Sequence, residues 1–427
     1  MVDRAIAIIF GALTVCTCVL ASSCAPSSGS SSAKPGEIMH HDLSPNSVVA
    51  PSEKPPIPAA EIAQAASDSF EKGIGWAITN QRANGNWGSL ESTRRREIFL
   101  DTLASHLAFQ TATTAIVTWS LIEPARTKPE CRAALERGLT ELSSRKPPGR
   151  ASGKTFYSVW AHNYLIYLSA AVQADPTLTA FHATWKTIGE EEIKRVRREQ
   201  GADGGWGYYD FNFTGENPSG HESTSFNTAA MILALRSANA QGAVIPPGTI
   251  EDGTRAILRM QLPSGAFAYG TYAELNPRAD YNKISGSSGR LQSCNVALNA
   301  VGAGKVTAET LMRGVQHLRD THQYIEIGRG RVMPHESFYR NSGYYYYFDH
   351  YYAACALAAV PPSAERAELV RWLTEVMVHD QNPDGSWFDY PLYGYGKAYA
   401  TGLGLLTLEI LRPLIDTTAA ANTSDVK

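Results

Sequence analysis

One short pattern recurs along the chain and constrains its fold more than any other feature of the sequence. A glutamine is followed four residues later by glycine and two residues after that by tryptophan, at 81–87, 200–206 and 381–387. A fourth copy at 261–267 has phenylalanine in place of tryptophan. Glycine after a small polar residue favours a turn with positive φ, and an indole can fold back on the preceding helix. We expect each glutamine to bond backbone groups left open at the end of that helix.

The spacing of the copies indicates a repeat. The four glutamines are separated by 119, 61 and 120 residues, which are single or double multiples of one period. Missing copies are therefore expected near Arg145 and Gln323. The chain is predicted to contain six units of roughly 60 residues each.

Each unit is predicted to contain two helices of different character. The segment before the motif is charged on one face, as in 190–198, and the segment after the loop is small and apolar, as in 227–231. A helix with one charged face lies at the surface, whereas an apolar helix is buried. Six outer and six inner helices predict an all-α fold, a closed α/α toroid with little β structure, over residues 61–415.

Hydroxyl groups fall at equivalent positions of the predicted inner helices. The register places them at one level, with His162 as the sixth member: Thr114, Thr228, Ser293, Tyr352 and Thr401. Two alternatives remain open. The hydroxyls either bond their own helix backbone four residues back or form a polar floor to a central cavity.

The N-terminus is typical of an exported protein. Arg4 precedes an apolar run at 5–20 and small residues at 21–23, the arrangement of a secretory signal. These small residues resemble a bacterial lipoprotein cleavage site, which predicts a signal peptide at 1–23 and a lipidated Cys24; ordinary cleavage nearby is the alternative. A lipid would hold the protein at the envelope membrane without spanning it. Disordered segments are expected at 24–60 and 416–427.

Composition excludes several functional classes. The net charge of −3 gives no basic patch, so a nucleic-acid partner is not expected. Cys131, Cys294 and Cys355 remain after the signal region, an odd number that indicates buried thiols rather than a disulfide framework. No phosphate-binding glycine loop, nucleophile elbow or paired-cysteine motif is present, so no cofactor or metal is predicted.

The repeated turn, its period and the paired helices resemble the squalene–hopene cyclase and protein prenyltransferase superfamily over about residues 62–414. The resemblance implies an α/α toroid with a cavity inside the inner ring. It also implies an Asp-x-Asp-Asp-Thr acid at the start of an inner helix in triterpene cyclases. The matching stretches here, 110–114 and 224–228, contain no carboxylate, so cyclisation by that acid is not expected.

Two further resemblances bear on chemistry. Protein prenyltransferases hold zinc with Asp-x-Cys and a histidine, which would correspond to Cys294 and His350, but no aspartate stands two residues before Cys294. Two ligands do not complete a zinc site. Toroidal polysaccharide lyases carry turns that resemble 81–87, so a glycan-acting enzyme remains an alternative.

The candidate site residues lie in the aromatic segment 344–352 and in the loops after the turns. Asp349 and His350 are candidates for acid–base catalysis, together with Asp210 and Glu222. Aromatic faces suit carbocations, apolar chains or stacked sugars. Six further residues are expected to line the cavity and bind a ligand: His162, Arg290, Tyr346, Tyr352, Tyr390 and Lys397.

Three functions follow from this reading. The first is an exported protein that binds or acts on an isoprenoid or other lipid at the cell envelope. The second is a lyase or hydrolase that acts on glycans, with Arg290 or Lys397 beside Asp210 or Glu222. The third is a non-catalytic scaffold that has kept the ring. An apolar cavity favours the first, a groove with carboxylates and arginine the second, and a filled centre the third.

Overall fold

The computed structural model describes residues 55–91, 103–146, 156–210, 222–271, 276, 278–331, 343–390 and 393–424, without the side chains of 209, 210, 284 and 416–424. The predicted signal peptide, Cys24 and most of the predicted linker lie outside the described residues. The first helix begins at Ile62, close to the predicted start of the folded body.

Fourteen α-helices lie in the described residues, and most of them form outer and inner pairs. The outer helices are α1 (Ile62–Thr79), α3 (Pro129–Ser144), α5 (Thr179–Glu199), α7 (Thr249–Met260), α10 (Ala308–Asp320) and α13 (Ala364–His379). The inner helices are α2 (Leu103–Ser120), α4 (Val159–Ala174), α6 (Ser225–Ala240), α9 (Leu291–Ala300), α12 (Tyr346–Ala359) and α14 (Gly396–Ser424). Helices α8 (Ile284–Ser287) and α11 (Gln323–Glu326) are single turns, and β1 (Phe156–Tyr157) pairs antiparallel with β2 (Tyr209–Asp210).

The inner helices form a closed ring. Each packs against the inner helix of the next unit, and α14 of the sixth unit packs against α2 of the first. The inner helices are buried on almost every side, as in α4 and α6, whereas the outer helices alternate buried and exposed positions. The predicted α/α toroid of six helical hairpins is confirmed.

Trp206 illustrates how each tryptophan joins the two helices of a unit. Its buried indole N–H donates to the carbonyl oxygen of Val196 near the end of α5, with an N···O distance of 2.7 Å. Its backbone N–H donates to the hydroxyl of Thr228 on α6, at 3.0 Å. Trp87 and Trp387 make the same pair of hydrogen bonds. Outer and inner helices are therefore fixed to each other at this turn.

The motif glycines have the conformation that the sequence predicts. Gly204 has a φ of 92°, and the glycines of the other three copies have φ values of 86° to 94°. A Cβ atom on Gly204 would lie 2.7 Å from the carbonyl oxygen of Asp252 on α7. Glycine at this position therefore permits both the turn and the close approach of the next outer helix.

The motif glutamines join successive units. Gln200 Nε2 donates to the carbonyl oxygen of Thr249, the first residue of α7, at 2.9 Å. In the last unit, Gln381 Nε2 donates to the carbonyl oxygen of Ser69 on α1 at 2.7 Å, and the Ser69 hydroxyl donates to Gln381 Oε1 at 2.8 Å. The expectation that glutamine bonds the end of its own preceding helix is wrong, because the indole takes that role and glutamine reaches the neighbouring unit.

The aligned hydroxyls do not form a polar floor. Thr114, Thr228 and Thr401 each accept the backbone N–H of a motif tryptophan. Thr401 also donates to the carbonyl oxygen of Lys397, four residues earlier, at 2.7 Å. Ser293 donates to a backbone carbonyl within its own unit. These four hydroxyls therefore bond backbone groups, whereas the buried Tyr352 hydroxyl of the same set has no hydrogen bond of normal geometry within the described residues.

The last inner helix is longer than predicted. Helix α14 continues to Ser424, whereas the sequence suggests an end near Leu414 and a disordered tail from 416. Gly396–Ile415 is apolar and long enough to cross a membrane, but 78% of its most apolar stretch is buried in the fold, as an inner helix requires.

The three cysteines of the body, Cys131, Cys294 and Cys355, are buried free thiols, as predicted.

We predict that closure of the ring depends on Gln381. Replacing Gln381 with Ala removes its bonds to Ser69 and leaves buried backbone groups without a partner, which should lower the free energy of unfolding by about 2–3 kcal/mol. Urea unfolding followed by circular dichroism measures this change. Gln323→Ala is the control, since Gln323 is exposed at a position without the complete motif. Equal stability of the two variants would mean that closure does not depend on this contact.

Candidate functional site

An aromatic cavity lies at the end of the ring where the inner helices begin. Its wall includes Phe109 on α2, Trp160 on α4, Phe226 on α6, Phe348 on α12 and Tyr399 on α14. Fourteen of the eighteen described residues that line it are aromatic, and none of these eighteen is charged. The cavity therefore presents π faces from five of the six inner helices.

Several tyrosine hydroxyls of this wall are hydrogen bonded to other residues of the wall. The hydroxyls of Tyr208 and Tyr269 are hydrogen bonded, and the hydroxyl of Tyr399 donates to the carbonyl oxygen of Tyr344 at 2.9 Å. Burial raises the pKa of Tyr208 well above its usual range, and the nearby Tyr269 adds to this effect. The wall is therefore electrically neutral at physiological pH and offers mainly ring faces to a ligand.

The volume of the cavity limits the size of its ligand. It measures about 190 Å³, only somewhat more than the roughly 150 Å³ cavity that accommodates benzene in a well-studied protein core. Most ligand pockets are larger, at about 300–1,000 Å³. The cavity therefore suits one ring or about ten carbon atoms, and not a complete triterpene.

The residues predicted to line the cavity divide into two groups. Tyr390 lies on its wall. The structure does not place His162, Arg290, Tyr346, Tyr352 or Lys397 there. Each of these five side chains contacts residues elsewhere in the fold. A residue that is close in sequence to the cavity wall therefore need not be exposed to the cavity.

His162 and Arg290 are buried between helices. His162 bonds Glu192 through Nδ1 and lies 3.4 Å from Glu199 through Nε2, so its ring faces the outer helix α5. Arg290 donates to the carbonyl oxygens of Phe267 and Gly286 at 3.2 and 3.0 Å. Both residues satisfy buried polar groups instead of contacting a ligand.

Three further candidates also face away from the cavity. Tyr346 donates to Asp380 Oδ2 at 2.6 Å, in the layer between inner and outer helices. Tyr352 is buried one turn beyond Phe348, against which its ring packs at a centroid distance of 4.8 Å. Lys397 is 41% exposed and pairs with Asp384 at 3.1 Å.

Asp349 and His350 do not form an acid–base pair. The Asp349 carboxyl is fully buried, and burial raises its pKa well above its usual range, while the backbone N–H of Gln292 opposes that shift only weakly. Neither carboxyl oxygen has a hydrogen bond of normal geometry within the described part of the chain. The His350 ring faces the opposite layer, where it contacts His322. Neighbours on a helix point in different directions, which explains the separation.

Of the two loop carboxylates, only that of Glu222 belongs to the described side chains. Glu222 is exposed and is not among the residues that line the cavity. Asp210 lies in β2, and its side chain is outside the described residues. The described part of the chain therefore provides no pair of carboxylates at the cavity of the kind that glycoside hydrolysis needs.

Some groups at or near the cavity are not among the candidates that the sequence indicates. Asp389 precedes Tyr390, and burial raises the pKa of its carboxyl to about 8, despite nearby backbone N–H groups such as that of Tyr347. Its neutral form therefore predominates at pH 7. Aromatic residues at the starts of the inner helices, such as Trp160 and Phe226, form the wall and could have been found by that shared position.

Among the described residues, no three His, Cys, Asp or Glu side chains are grouped to hold a metal ion.

Comparison with known families identifies the lineage of this ring. The family model for the squalene-hopene cyclase C-terminal domain matches residues 56–275, just over half of the chain. The chain belongs to the squalene-hopene cyclase C-terminal domain family. It is thus a member of the terpenoid cyclase and prenyltransferase toroid superfamily, as the sequence pattern indicates. No curated protein sequence matches it.

Solved structures resemble this family member only distantly. The GH76A alpha-1,6-mannanase from Salegentibacter sp. HEL1_6 is 11% identical, with a TM-score of 0.49 over 83% of this chain and 99% of that chain. The type II terpene cyclase MstE from Scytonema is 15% identical, with a TM-score of 0.44 over 82% and 99%. A protein from Actinoplanes is 14% identical, with a TM-score of 0.47 over 81% and 99%. The family assignment rests on the family model and not on these structures.

This squalene-hopene cyclase family member lacks an acid at the matching helix start. In the stretch that corresponds to Asp-x-Asp-Asp-Thr, Ala112 and Thr113 lie on the cavity wall. Gln110 donates to the carbonyl oxygen of Gly88 at 2.9 Å, and Thr114 accepts a backbone N–H from the turn. Protonating an alkene needs a strong acid, and these positions offer none.

We predict a pH-dependent contribution of His162 to stability. Burial alone would lower the pKa of His162, but Glu199 and Glu192 outweigh it and raise that pKa to about 10. The stabilisation is complete below the ordinary pKa of 6.5 and is lost as the pH rises through the folded value. The free energy of unfolding should fall by roughly a few kcal/mol across that interval.

Urea unfolding at intervals from pH 6 to 10 measures this dependence. The double variant His162→Gln/Glu192→Gln keeps two buried amides of similar size and removes both charges. Its stability should change less over the same interval than that of the wild type. Identical pH profiles for the two proteins would contradict the assignment.

Proposed function

We propose that the protein binds a short isoprenoid, or the terminal isoprene units of a longer one, in its aromatic cavity. One observation carries this proposal: the described part of the cavity wall is formed almost entirely by aromatic side chains and contains no charged residue. Apolar chains gain free energy when they leave water for such a site. Polar headgroups could remain outside, where the loops after the turns lie.

The size of the cavity sets the expected affinity. Burying about ten carbon atoms contributes roughly 8 kcal/mol at about 0.8 kcal/mol per carbon. Loss of translational and rotational freedom costs at least about 4 kcal/mol. The difference corresponds to a dissociation constant of about 1 mM or weaker for the buried part alone, and further contacts by the rest of the ligand would strengthen it.

The site best supports a protein that binds its ligand and does not start a cyclisation by protonating it. Ala112 and Thr113 occupy the wall at the positions that match the cyclase acid. Asp389 near the wall has a raised pKa, which makes it a weak proton donor. A polysaccharide lyase or hydrolase has less support, because Arg290 bonds backbone carbonyls and Lys397 pairs with Asp384. The open cavity also distinguishes the protein from a scaffold with a filled centre.

We predict that filling the cavity blocks binding. Ala112→Phe places a ring in the cavity without removing a core side chain, and should weaken binding of a ten-carbon prenyl alcohol at least tenfold. Quenching of tryptophan fluorescence reports on the site, because Trp160 lies on its wall. Leu103→Phe is the control, since Leu103 is on the same helix but is 65% exposed.

A sugar serves as the competing ligand in the same experiment. Mannose or a mannose disaccharide should leave the fluorescence of both variants unchanged. Saturable binding of the sugar that is lost in Ala112→Phe would support the glycan alternative and overturn the isoprenoid proposal. Equal binding of the prenyl alcohol by both variants would show that it binds elsewhere.

We further propose that the protein is exported and is anchored to the bacterial envelope membrane by a lipid on Cys24. The apolar run and the small residues before Cys24 support this proposal. A membrane anchor would keep the toroid close to membrane isoprenoids. No nucleic acid is expected as a partner, in view of the net charge of −3.

We predict that Cys24→Ala releases the protein from the membrane fraction. Fractionation of cells that express each form, with labelling by an alkyne fatty acid, measures both attachment and acylation. Ser23→Ala is the control, because it changes a small residue beside the cysteine without removing the thiol. A Cys24→Ala protein that stays in the membrane fraction would contradict lipidation as the anchor.

A further inference from the structure

We propose that His322, His350 and Tyr346 form a binding site for a divalent transition-metal ion, between the inner and outer layers of the fifth unit. The Nε2 atoms of the two histidines are 3.0 Å apart. The Tyr346 hydroxyl oxygen lies 3.3 Å from the same atom of His322. Two donor atoms of the types that bind zinc and copper therefore lie within 3.3 Å of a third, His322 Nε2. This site is separate from the aromatic cavity and does not depend on the proposed ligand.

The geometry requires little rearrangement. Zinc binds imidazole nitrogen at about 2.0–2.1 Å, so two nitrogens at a tetrahedral angle are about 3.3–3.4 Å apart. The His322–Tyr346 distance already has this value, and the two histidine nitrogens need to separate by only about 0.4 Å. Three protein donors would leave a fourth position open for water or another ligand.

The second hydrogen bond of His350 holds its ring in the orientation that a metal needs. Its Nδ1 lies 2.6 Å from the carbonyl oxygen of Tyr346, so Nδ1 carries the proton and donates to that carbonyl. The Nε2 lone pair then points toward His322. Metal-bound histidines usually donate their other ring N–H in this way. The Tyr346 hydroxyl is oriented in turn by Asp380 Oδ2, at 2.6 Å.

The local charge favours a cation. Arg329 pairs with Glu326 at 2.5 Å and with Asp380 at 3.3 Å. With both histidines neutral, these three described side chains carry a formal sum of −1. The negative sum partly offsets the charge of a divalent ion, which reduces the cost of holding that charge in a buried place. His322 is partly exposed in the fold, whereas Tyr346 and His350 are buried.

The site differs from the zinc set that the prenyltransferase resemblance implies. That set would require Cys294, whereas the Cys294 thiol lies on α9 among Arg290, Ser225, Ser293 and Asp349. The proposed donors instead occupy the place where the fifth unit lacks the tryptophan turn. His322 immediately precedes α11, and its ring packs edge-on against Trp372 of α13 at 5.6 Å. Metal binding would thus join layers that the motif joins in other units.

The test uses the full chain, first dialysed against a chelator and then titrated with Zn²⁺ by isothermal titration calorimetry. Wild type should bind one equivalent in the micromolar range or tighter, with an increase in Tm on zinc addition. His322→Gln and His350→Gln should each bind at least tenfold more weakly and lose that increase. His317→Gln, which removes a nearby histidine of α10 outside the group, should behave as wild type.

Tyr346→Phe tests the third donor. Zn²⁺ should bind this variant at least tenfold more weakly than wild type, because phenylalanine offers no oxygen donor. If His350→Gln fails to fold, the His322→Gln variant and the zinc-dependent Tm of wild type still decide the matter. Absence of binding to wild type, or equal binding by wild type and His322→Gln, would overturn the proposal and leave the histidines as a hydrogen-bonded pair.

Discussion

The ring depends on glutamine side chains at three of its turns, which bond across the boundary between units. Gln200 reaches the first turn of the next outer helix, and Gln381 does the same to the helix that begins the folded body. Because the last of these contacts joins the two ends of the ring, it converts a row of hairpins into a closed structure. The indole of each turn then holds the inner helix against its own outer helix.

Closure determines where charged groups can lie. The inner helices all begin at the same end of the ring, and their first turns bring aromatic rings together around a neutral cavity. Several charged and titratable groups instead lie in the layer between inner and outer helices, where His162 meets Glu192 and Tyr346 meets Asp380. Burial of an unpaired charge is costly, so side chains that can find a partner in this layer turn away from the centre.

The fifth unit differs from the fourth and the sixth because it lacks the glutamine–glycine–aromatic turn that both of them carry. Its two layers are joined by a polar group around His322 and His350 rather than by an indole and a threonine. The contacts that join the outer and inner layers can therefore differ in one unit while adjacent inner helices still pack against each other. Such a place can acquire a binding role without disturbing the aromatic cavity, since the two are separated by the helix that carries His350.

The sequence by itself determined the repeat, the helix types and the closed ring, because the turn motif needs glycine at a positive φ and an indole that packs locally. It also determined that residues matching the cyclase acid, such as Ala112, carry no carboxylate. Only the tertiary structure decided which side chains reach the cavity. Tyr390 does, whereas Arg290 turns toward backbone carbonyls, because the direction of a side chain on a buried helix depends on partners from other units that are distant in sequence.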